Sequence, residues 1–216
     1  MNKTSIEWTD YTWNPVTGCK GANGDGLCSY CYIKRLRNYN INPEFHPERL
    51  EQPLKVKKSQ KIFVCSTADL FGDWIPEDWI KKVIDITKEA SQHTFQFLTK
   101  NPKRFRGFVF PLNTWLGTTV EKDEYAYRVL DLKLFAKNKW FVSFEPLMGD
   151  MKWVNISRIN WIIIGAMTGK DAEKFAPKEE WIDKILVRAK NLNIPVFMKD
   201  NLKPNWSKKL IQEFPE

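Results

Sequence analysis

Cys19, Cys28 and Cys31 lie in the run Cys19-Lys20-Gly21-Ala22-Asn23-Gly24-Asp25-Gly26-Leu27-Cys28-Ser29-Tyr30-Cys31. Three thiolates from one loop can hold three corners of a metal centre, and a missing fourth protein ligand leaves a position open to substrate or cofactor. Two chemistries fit this spacing. Zinc would recruit a fourth ligand, Cys65 or His46, and make the site structural. An iron–sulfur cluster on three cysteines would leave one iron open, and a tyrosine immediately before the third cysteine favours this reading. Gly18, Gly21, Gly24 and Gly26 let the long spacer fold closely over a bulky inorganic group. A helix expected over Tyr30–Tyr39 would place Cys28 and Cys31 at its start, where free amides and partial positive charge favour thiolate. Cys65 sits in the apolar run Lys61-Ile62-Phe63-Val64-Cys65 and reads as a small buried hydrophobe.

Elements must bring these residues together. Apolar runs at Ile62–Ser66, Thr94–Thr99, Thr114–Thr118, Trp140–Glu145, Asn160–Gly165 and Pro195–Lys199 predict strands. Helices are predicted over Trp79–Ala90, with Pro76 and acidic residues ahead of it, and over Glu121–Ala136 and Pro177–Leu192. Strands alternating with helices imply parallel pairing through right-handed crossovers, which gathers the strands' C-terminal ends on one face. Polar residues follow run after run: Ser66, Thr67 and Asp69; Thr99 and Lys100; Thr118 and Thr119; Ser143 and Glu145; Thr168; Lys199 and Asp200. Such strand ends contact ligands in α/β folds, while helix caps and turns account for a share of them. The Pro-rich stretch 42–53 reads as a long loop.

The expected architecture is one α/β domain over residues 1–216, a partial parallel (β/α) barrel of about six strands, since a full eightfold barrel takes ~250 residues. With 43% hydrophobic and 14% aromatic residues the chain can bury a core. It has no apolar run near the ~20 residues that cross a bilayer and no signal-peptide stretch, so a cytoplasmic protein is expected. Four cysteines are too few for a disulfide framework. The net charge of +8 favours an anionic partner, and basic residues cluster at 34–37, 55–61 and 100–106.

The cysteine loop after a first strand, with an aromatic residue before its last cysteine, resembles that of the radical S-adenosylmethionine enzymes. Most of them place three residues between the first two cysteines, whereas this chain places eight. A narrower set of motifs spans most of the chain: Trp8-Thr9-Asp10-Tyr11-Thr12-Trp13-Asn14-Pro15-Val16-Thr17-Gly18-Cys19, Asp69-Leu70-Phe71, Phe97-Leu98-Thr99-Lys100, Trp115-Leu116-Gly117, Ser143-Phe144-Glu145-Pro146-Leu147 and Phe197-Met198-Lys199. These resemble the phage Gp37/Gp68 family (DUF5131-type), a radical-S-adenosylmethionine-like group.

That resemblance implies a [4Fe-4S] cluster on Cys19, Cys28 and Cys31, with S-adenosylmethionine chelating the open iron and cleaved to a 5′-deoxyadenosyl radical. It points to Tyr30, Ser66, Thr67, Asp69, Thr118, Glu121, Ser143 and Glu145 as cofactor contacts, with Ser66, Thr67 and Asp69 near the methionine amino group. Lys100 and Lys199 are the candidates for a catalytic or anion-binding cation. Trp8 and Trp13 read as packing residues, and Asn14 as a side chain that holds the loop. A flavodoxin- or ferredoxin-like reductant is implied, and a nucleic acid or nucleotide is the expected substrate. The competing reading is a non-catalytic zinc- or cluster-bearing nucleic-acid-binding module.

Overall fold

A computed structural model of the chain describes residues 1–35, 39–134, 138–169 and 171–216. They form two compact units, one holding Met1–Leu116 with Asn138, the other Gly117–Leu134 and Lys139–Glu216.

In the first unit, β1 (Asn2–Lys3) pairs antiparallel with β2 (Tyr11–Trp13). The short strands β3 (Val16–Thr17) and β4 (Glu44–Phe45) pair with each other beyond it. β5 (Lys61–Val64) lies parallel to β2, and after helix α1 (Glu77–Glu89) the chain returns as β6 (Thr94–Thr99), parallel to β5. The register aligns Trp13 with Val64 and Val64 with Phe97, so the C-terminal ends of β2, β5 and β6 share one edge. α1 forms because Ile80, Val83, Ile84 and Ile86 recur on one face and are buried, while Glu77 and Asp78 favour its positive N-terminus. Phe71 packs edge-on against Phe97 and Phe105, with ring centroids 5.8 and 4.6 Å away, closing the core under the β5–α1 loop.

β7 (Thr114–Thr119) begins in the first unit and ends in the second. The second unit continues with α2 (Tyr127–Leu132), β8 (Lys139–Phe144), β9 (Trp161–Ile164), α3 (Glu179–Asn191) and β10 (Val196–Met198). β8, β9 and β10 are parallel neighbours in which Phe144 aligns with Ile164 and Ile164 with Met198. All four residues of β9 are buried, which is why it reads as a continuous apolar run and not an alternating one. The fold is thus α/β with mostly parallel strands, and all six expected strands are present. No helix among the described residues is long and apolar enough to cross a membrane.

Two expected helices differ. In place of a helix over Tyr30–Tyr39 there is a 3₁₀ turn at Tyr32–Arg35; residues 36–38, with Leu36 and Arg37 of the basic cluster, lie outside the described residues. Within the described turn Ile33 is buried but Tyr32 is 46% exposed, so only one of these two side chains anchors it in the core. The helix expected over Glu121–Ala136 is confined to α2, with a 3₁₀ turn at Asp123–Tyr125 before it, because Glu121 and Asp123 are engaged outside any helical pattern; Phe135 and Ala136 lie outside the described residues. The stretch 42–53 contains β4 and the 3₁₀ turn Pro47–Arg49, and a second such turn, Pro53–Lys55, starts at its end.

Candidate functional site

The cysteine loop begins directly after β3 and is closed by glycine backbone. Gly18 has φ +86°, and a Cβ there would lie 2.0 Å from the Asn42 carbonyl oxygen. Gly21 has φ +72°, and its Cβ would lie 1.9 Å from the Gly26 carbonyl oxygen. Neither position admits a side chain, so the long spacer folds back on itself, with the Gly26 N–H donating to Lys20 at 3.0 Å. The Trp74 ring covers the spacer at Gly24.

Cys19, Cys28 and Cys31 are free and half-buried. Burial pushes the Cys19 thiol up, partly offset by backbone N–H groups of Gly21, which reaches Sγ at 3.3 Å, and Asp69. Burial also pushes Cys31 up, against the Ile33 N–H and the charges of Lys100 and Lys34. Cys19 feels Cys31 and Cys31 feels Cys28, which places the three sulfurs in one electrostatic neighbourhood. Among the described residues no three His, Cys, Asp or Glu side chains converge closely enough for one metal ion, which would draw tetrahedral thiolates to about 3.8 Å from one another.

Of the two residues considered as a fourth zinc ligand, His46 is engaged by other side chains and Cys65 is sealed in the core. His46 Nε2 lies 2.8 Å from the Thr17 hydroxyl, and its Nδ1 is 3.5 Å from Glu48. Cys65 is 2% exposed, and burial pushes its thiol up to about 12 despite a hydrogen bond from the Val16 backbone. At pH 8, iodoacetamide should therefore label Cys19, Cys28 and Cys31 of metal-free folded protein while Cys65 stays unmodified until the chain unfolds, as read by mass spectrometry of timed digests. The same shift makes Cys65 favour the folded state only up to its ordinary thiol range. That contribution is lost as pH rises from about 9 to about 12.

The strand ends of the first unit surround this loop with hydrogen bonds. Asn14 Oδ1 accepts the Ser66 hydroxyl at 3.1 Å and the Thr67 N–H at 3.4 Å. The hydroxyls of Tyr32 and Tyr39 donate to the Ser66 and Thr67 carbonyls, tying the segment after Cys31 to the end of β5. Asp69 Oδ1 accepts the Thr99 hydroxyl at 2.6 Å and the Phe71 N–H at 3.1 Å, while Oδ2 accepts the Lys100 N–H at 2.9 Å. Asp69 therefore knits the β5 loop to the end of β6. Lys100 Nζ lies 5.7 Å from the centroid of the Tyr30 ring, next to the third cysteine. Among the described residues, two buried polar atoms in this region have no hydrogen-bond partner: Thr67 Oγ1 and Trp74 Nε1. Orphaned donors beside a half-exposed cysteine loop fit a bound group that the protein chain itself does not supply.

In the second unit, Glu145 and Lys199 follow β8 and β10 and form an ion pair, with side chains 25% and 16% exposed. Gly165, after β9, makes room for them, since a Cβ there would be 3.0 Å from the Glu145 carboxyl carbon. Ser143 and Thr118 are buried in their strands. Glu121 is 2% exposed and paired at 2.8 Å with Arg128, which also donates to the Thr119 carbonyl. Burial raises the Glu121 carboxyl above the usual range more than Arg128 lowers it. Its carboxylate sits in a buried ion pair.

A model for the family described as "protein of unknown function (DUF5131)" matches residues 3–212, taking in every motif from Trp8 to Lys199. The chain is a DUF5131 protein. The family description carries no phage name. Among solved structures, a variant of spore photoproduct lyase is similar to this DUF5131 protein with a TM-score of 0.62 at 10% identity, over 91% of this chain and 78% of the other. A variant of the same lyase with a dinucleoside spore photoproduct gives 0.57 at 13% identity, and a further complex with that dinucleoside gives 0.57 at 12%. In both complexes 81% of this chain is covered but only 61% of the lyase. At these identities the likeness establishes the fold. No curated protein sequence matches the chain.

Sequence reasoning missed several residues that build the site of this DUF5131 protein. Asn101 Nδ2 donates to the Phe71 carbonyl at 2.9 Å and to Asp73 at 2.8 Å, and Arg104 reaches the carbonyls of Gly72 and Ile75. Both follow the Thr99-Lys100 motif, and the loop they hold carries Asp69-Leu70-Phe71. The local signal was only a polar and basic run, which reads equally as solvated surface. Trp8 and Trp13, 2% and 0% exposed, are packing residues as expected.

Proposed function

We propose that this DUF5131 protein is a radical S-adenosylmethionine enzyme that holds a [4Fe-4S] cluster on Cys19, Cys28 and Cys31 and modifies or repairs a nucleic acid or nucleotide. The observation that carries this reading is the loop itself: three half-exposed free cysteines, closed by glycines that admit no side chain, while Cys65 is sealed in the core and His46 is engaged by Thr17. When bound, the cluster and its cofactor supply reductive cleavage of a sulfonium and a carbon radical able to abstract hydrogen.

The chain's own residues position that chemistry. The N–H groups of Gly21 and Asp69 stabilise the Cys19 sulfur, and the Lys100 charge stabilises that of Cys31. The Thr67 hydroxyl offers an unspent hydrogen-bonding group where a cofactor amino group would sit, with Ser66 beside it. Asp69 serves as a positioning residue, because hydroxyl and amide donors already occupy its oxygens. The Trp74 ring lies against the spacer at Gly24, and the Lys100 ammonium lies near the Tyr30 ring. The nucleic-acid half of the reading is supported by the net charge of +8 and by a fold shared with an enzyme solved with a dinucleoside. A small acidic flavodoxin- or ferredoxin-like protein is the proposed reductant.

Anaerobically reconstituted protein, reduced with dithionite in the presence of S-adenosylmethionine, should release 5′-deoxyadenosine over many minutes, as measured by liquid chromatography and mass spectrometry. Fully loaded brown protein that releases none would overturn the enzyme assignment. Colourless protein with one zinc per chain would replace it with the binding-module reading.

A further inference from the structure

Trp153 stands apart from the other described tryptophans whose surroundings are fixed by packing. Its side chain is 82% exposed, whereas Trp8, Trp13, Trp140, Trp161 and Trp206 are all below one tenth. The loop that carries it is nonetheless firmly tied. The Trp153 N–H donates to both oxygens of Asp123 at 2.8 and 3.1 Å. Arg188 of α3 donates to the carbonyls of Met151, at 2.6 Å, and Val154, on either side of the indole. Lys133 donates to the Asn155 carbonyl at 2.7 Å and to the Asn155 and Ser157 side chains. Val154 and Ile156 are buried and anchor the loop from below. A large apolar ring held in water on a loop this constrained is preorganised for a contact, since little conformational entropy remains to be lost when a partner lands on it.

The surroundings say what that partner is. A cleft of about 390 Å³ opens beside the indole, within the ~300–1,000 Å³ range of small-molecule sites. Its lining includes Lys152 and Arg188, the polar Asn155, Ser157 and Asn191, and no carboxylate. Lys133, which holds the loop through Asn155 and Ser157, is a further cation at its edge. The nearby acids are occupied, Asp123 by the Trp153 N–H and Asp150 by Lys184 at 2.5 Å. An aromatic face edged with cations and amides matches an unpaired base with its phosphate, since every base has a π-face and every linkage an anion.

We infer that Trp153 is a base-stacking platform, and that with Lys152 and Arg188 it holds one unpaired nucleotide of a nucleic acid strand at a docking site away from the cysteine loop in sequence. This rests on the nucleic-acid half of the proposed function and not on its radical chemistry.

The test uses anaerobically reconstituted full-length protein and a fluorescein-labelled single-stranded DNA oligonucleotide of mixed sequence, followed by anisotropy. Trp153→Ala should weaken binding about tenfold or more, and Trp153→Phe should restore most of it. Lys152→Ala should lower the slope of log K against log salt by about 0.7, one phosphate contact on a single strand. Because the ring is exposed, Trp153→Ala should melt with the wild type, and its release of 5′-deoxyadenosine without nucleic acid should be unchanged. Failure of the radical reading therefore shows in that last assay and failure of the platform only in the binding assay. Equal affinity for wild type and Trp153→Ala, or a Trp153→Phe variant as weak as Trp153→Ala, overturns the inference.

Discussion

Cys28→Ala should leave reconstituted protein with less than about one tenth of the wild-type iron and sulfide, because a cluster held by three thiolates cannot lose one of them and keep an ordered seat. The local physics supports a loss of that size. Burial disfavours charge on Cys19 and Cys31, and the three sulfurs share one neighbourhood, so the loop by itself resists holding thiolates together. Bound iron supplies the compensating positive charge, and it can do so only when enough thiolates are present to retain it. Cys65→Ala is the informative companion. Cys65 has φ +57° and is sealed in the core next to β5, so alanine keeps its Cβ and backbone and leaves a cavity worth about 1 kcal/mol. Its iron content should match the wild type. Equal loss of iron from both variants, measured by colorimetric iron and sulfide assays, would establish a four-cysteine site and remove the open coordination position.

Arg128→Met is expected to cost about 3–5 kcal/mol of stability, the usual penalty for leaving one partner of a buried pair uncompensated. Glu121 and Arg128 are each 3% exposed along their side chains and 2.8 Å apart. The guanidinium also donates to the Thr119 carbonyl at 2.9 Å and lies 4.2 Å from the Tyr125 ring centroid, so methionine would replace its volume but none of its bonds. The melting temperature should fall by about 10 °C, with 1 kcal/mol worth ~2–4 °C in a chain of this size. The sign of the pH dependence follows from Glu121. Burial already raises its folded carboxyl above the ordinary carboxylate range, and without Arg128 it rises further. The folded variant then holds a proton that the unfolded chain releases, so the deficit against wild type is small near pH 4 and grows as pH rises above that range. The double variant Arg128→Met/Glu121→Gln should recover part of the loss. A calorimetric scan at pH 5 and pH 8 checks both statements. An unshifted transition in Arg128→Met would mean that the pair does not hold this loop, and Glu121 would return as a candidate cofactor contact.

What could be read in the sequence was local. The run at Thr94–Thr99 buries Phe95, Gln96 and Phe97 in succession, as a strand covered on both faces does, and the apolar block at 160–165 contains another such strand. The glycines between Cys19 and Cys28 announced a tight loop, and their positive φ angles match that reading. What stayed hidden depended on partners distant in the chain. Asp69 looked like a carboxylate free to meet an ammonium group, yet its oxygens are taken by residues 30 and 31 positions onward as well as by Phe71. Tyr32, Ile33 and Leu36 gave a helical pattern within 30–39, but the hydroxyls of Tyr32 and Tyr39 reach the Ser66 and Thr67 carbonyls, and Tyr32–Arg35 forms a 3₁₀ turn. Composition likewise counts Trp13 and Trp153 together, although one is fully buried and the other stands in water. A motif names the residue types at a site, while the division between those that bind and those that brace is set by tertiary hydrogen bonds.

The claim that Cys19, Cys28 and Cys31 hold a cluster with an open iron is tested most directly by electron paramagnetic resonance of the reconstituted, dithionite-reduced protein, recorded before and after S-adenosylmethionine is added. A reduced [4Fe-4S] signal whose g-values shift on addition is the predicted result, because only a cluster with a coordination site free of protein can take the cofactor directly. A cluster spectrum that does not change with saturating S-adenosylmethionine would contradict the account.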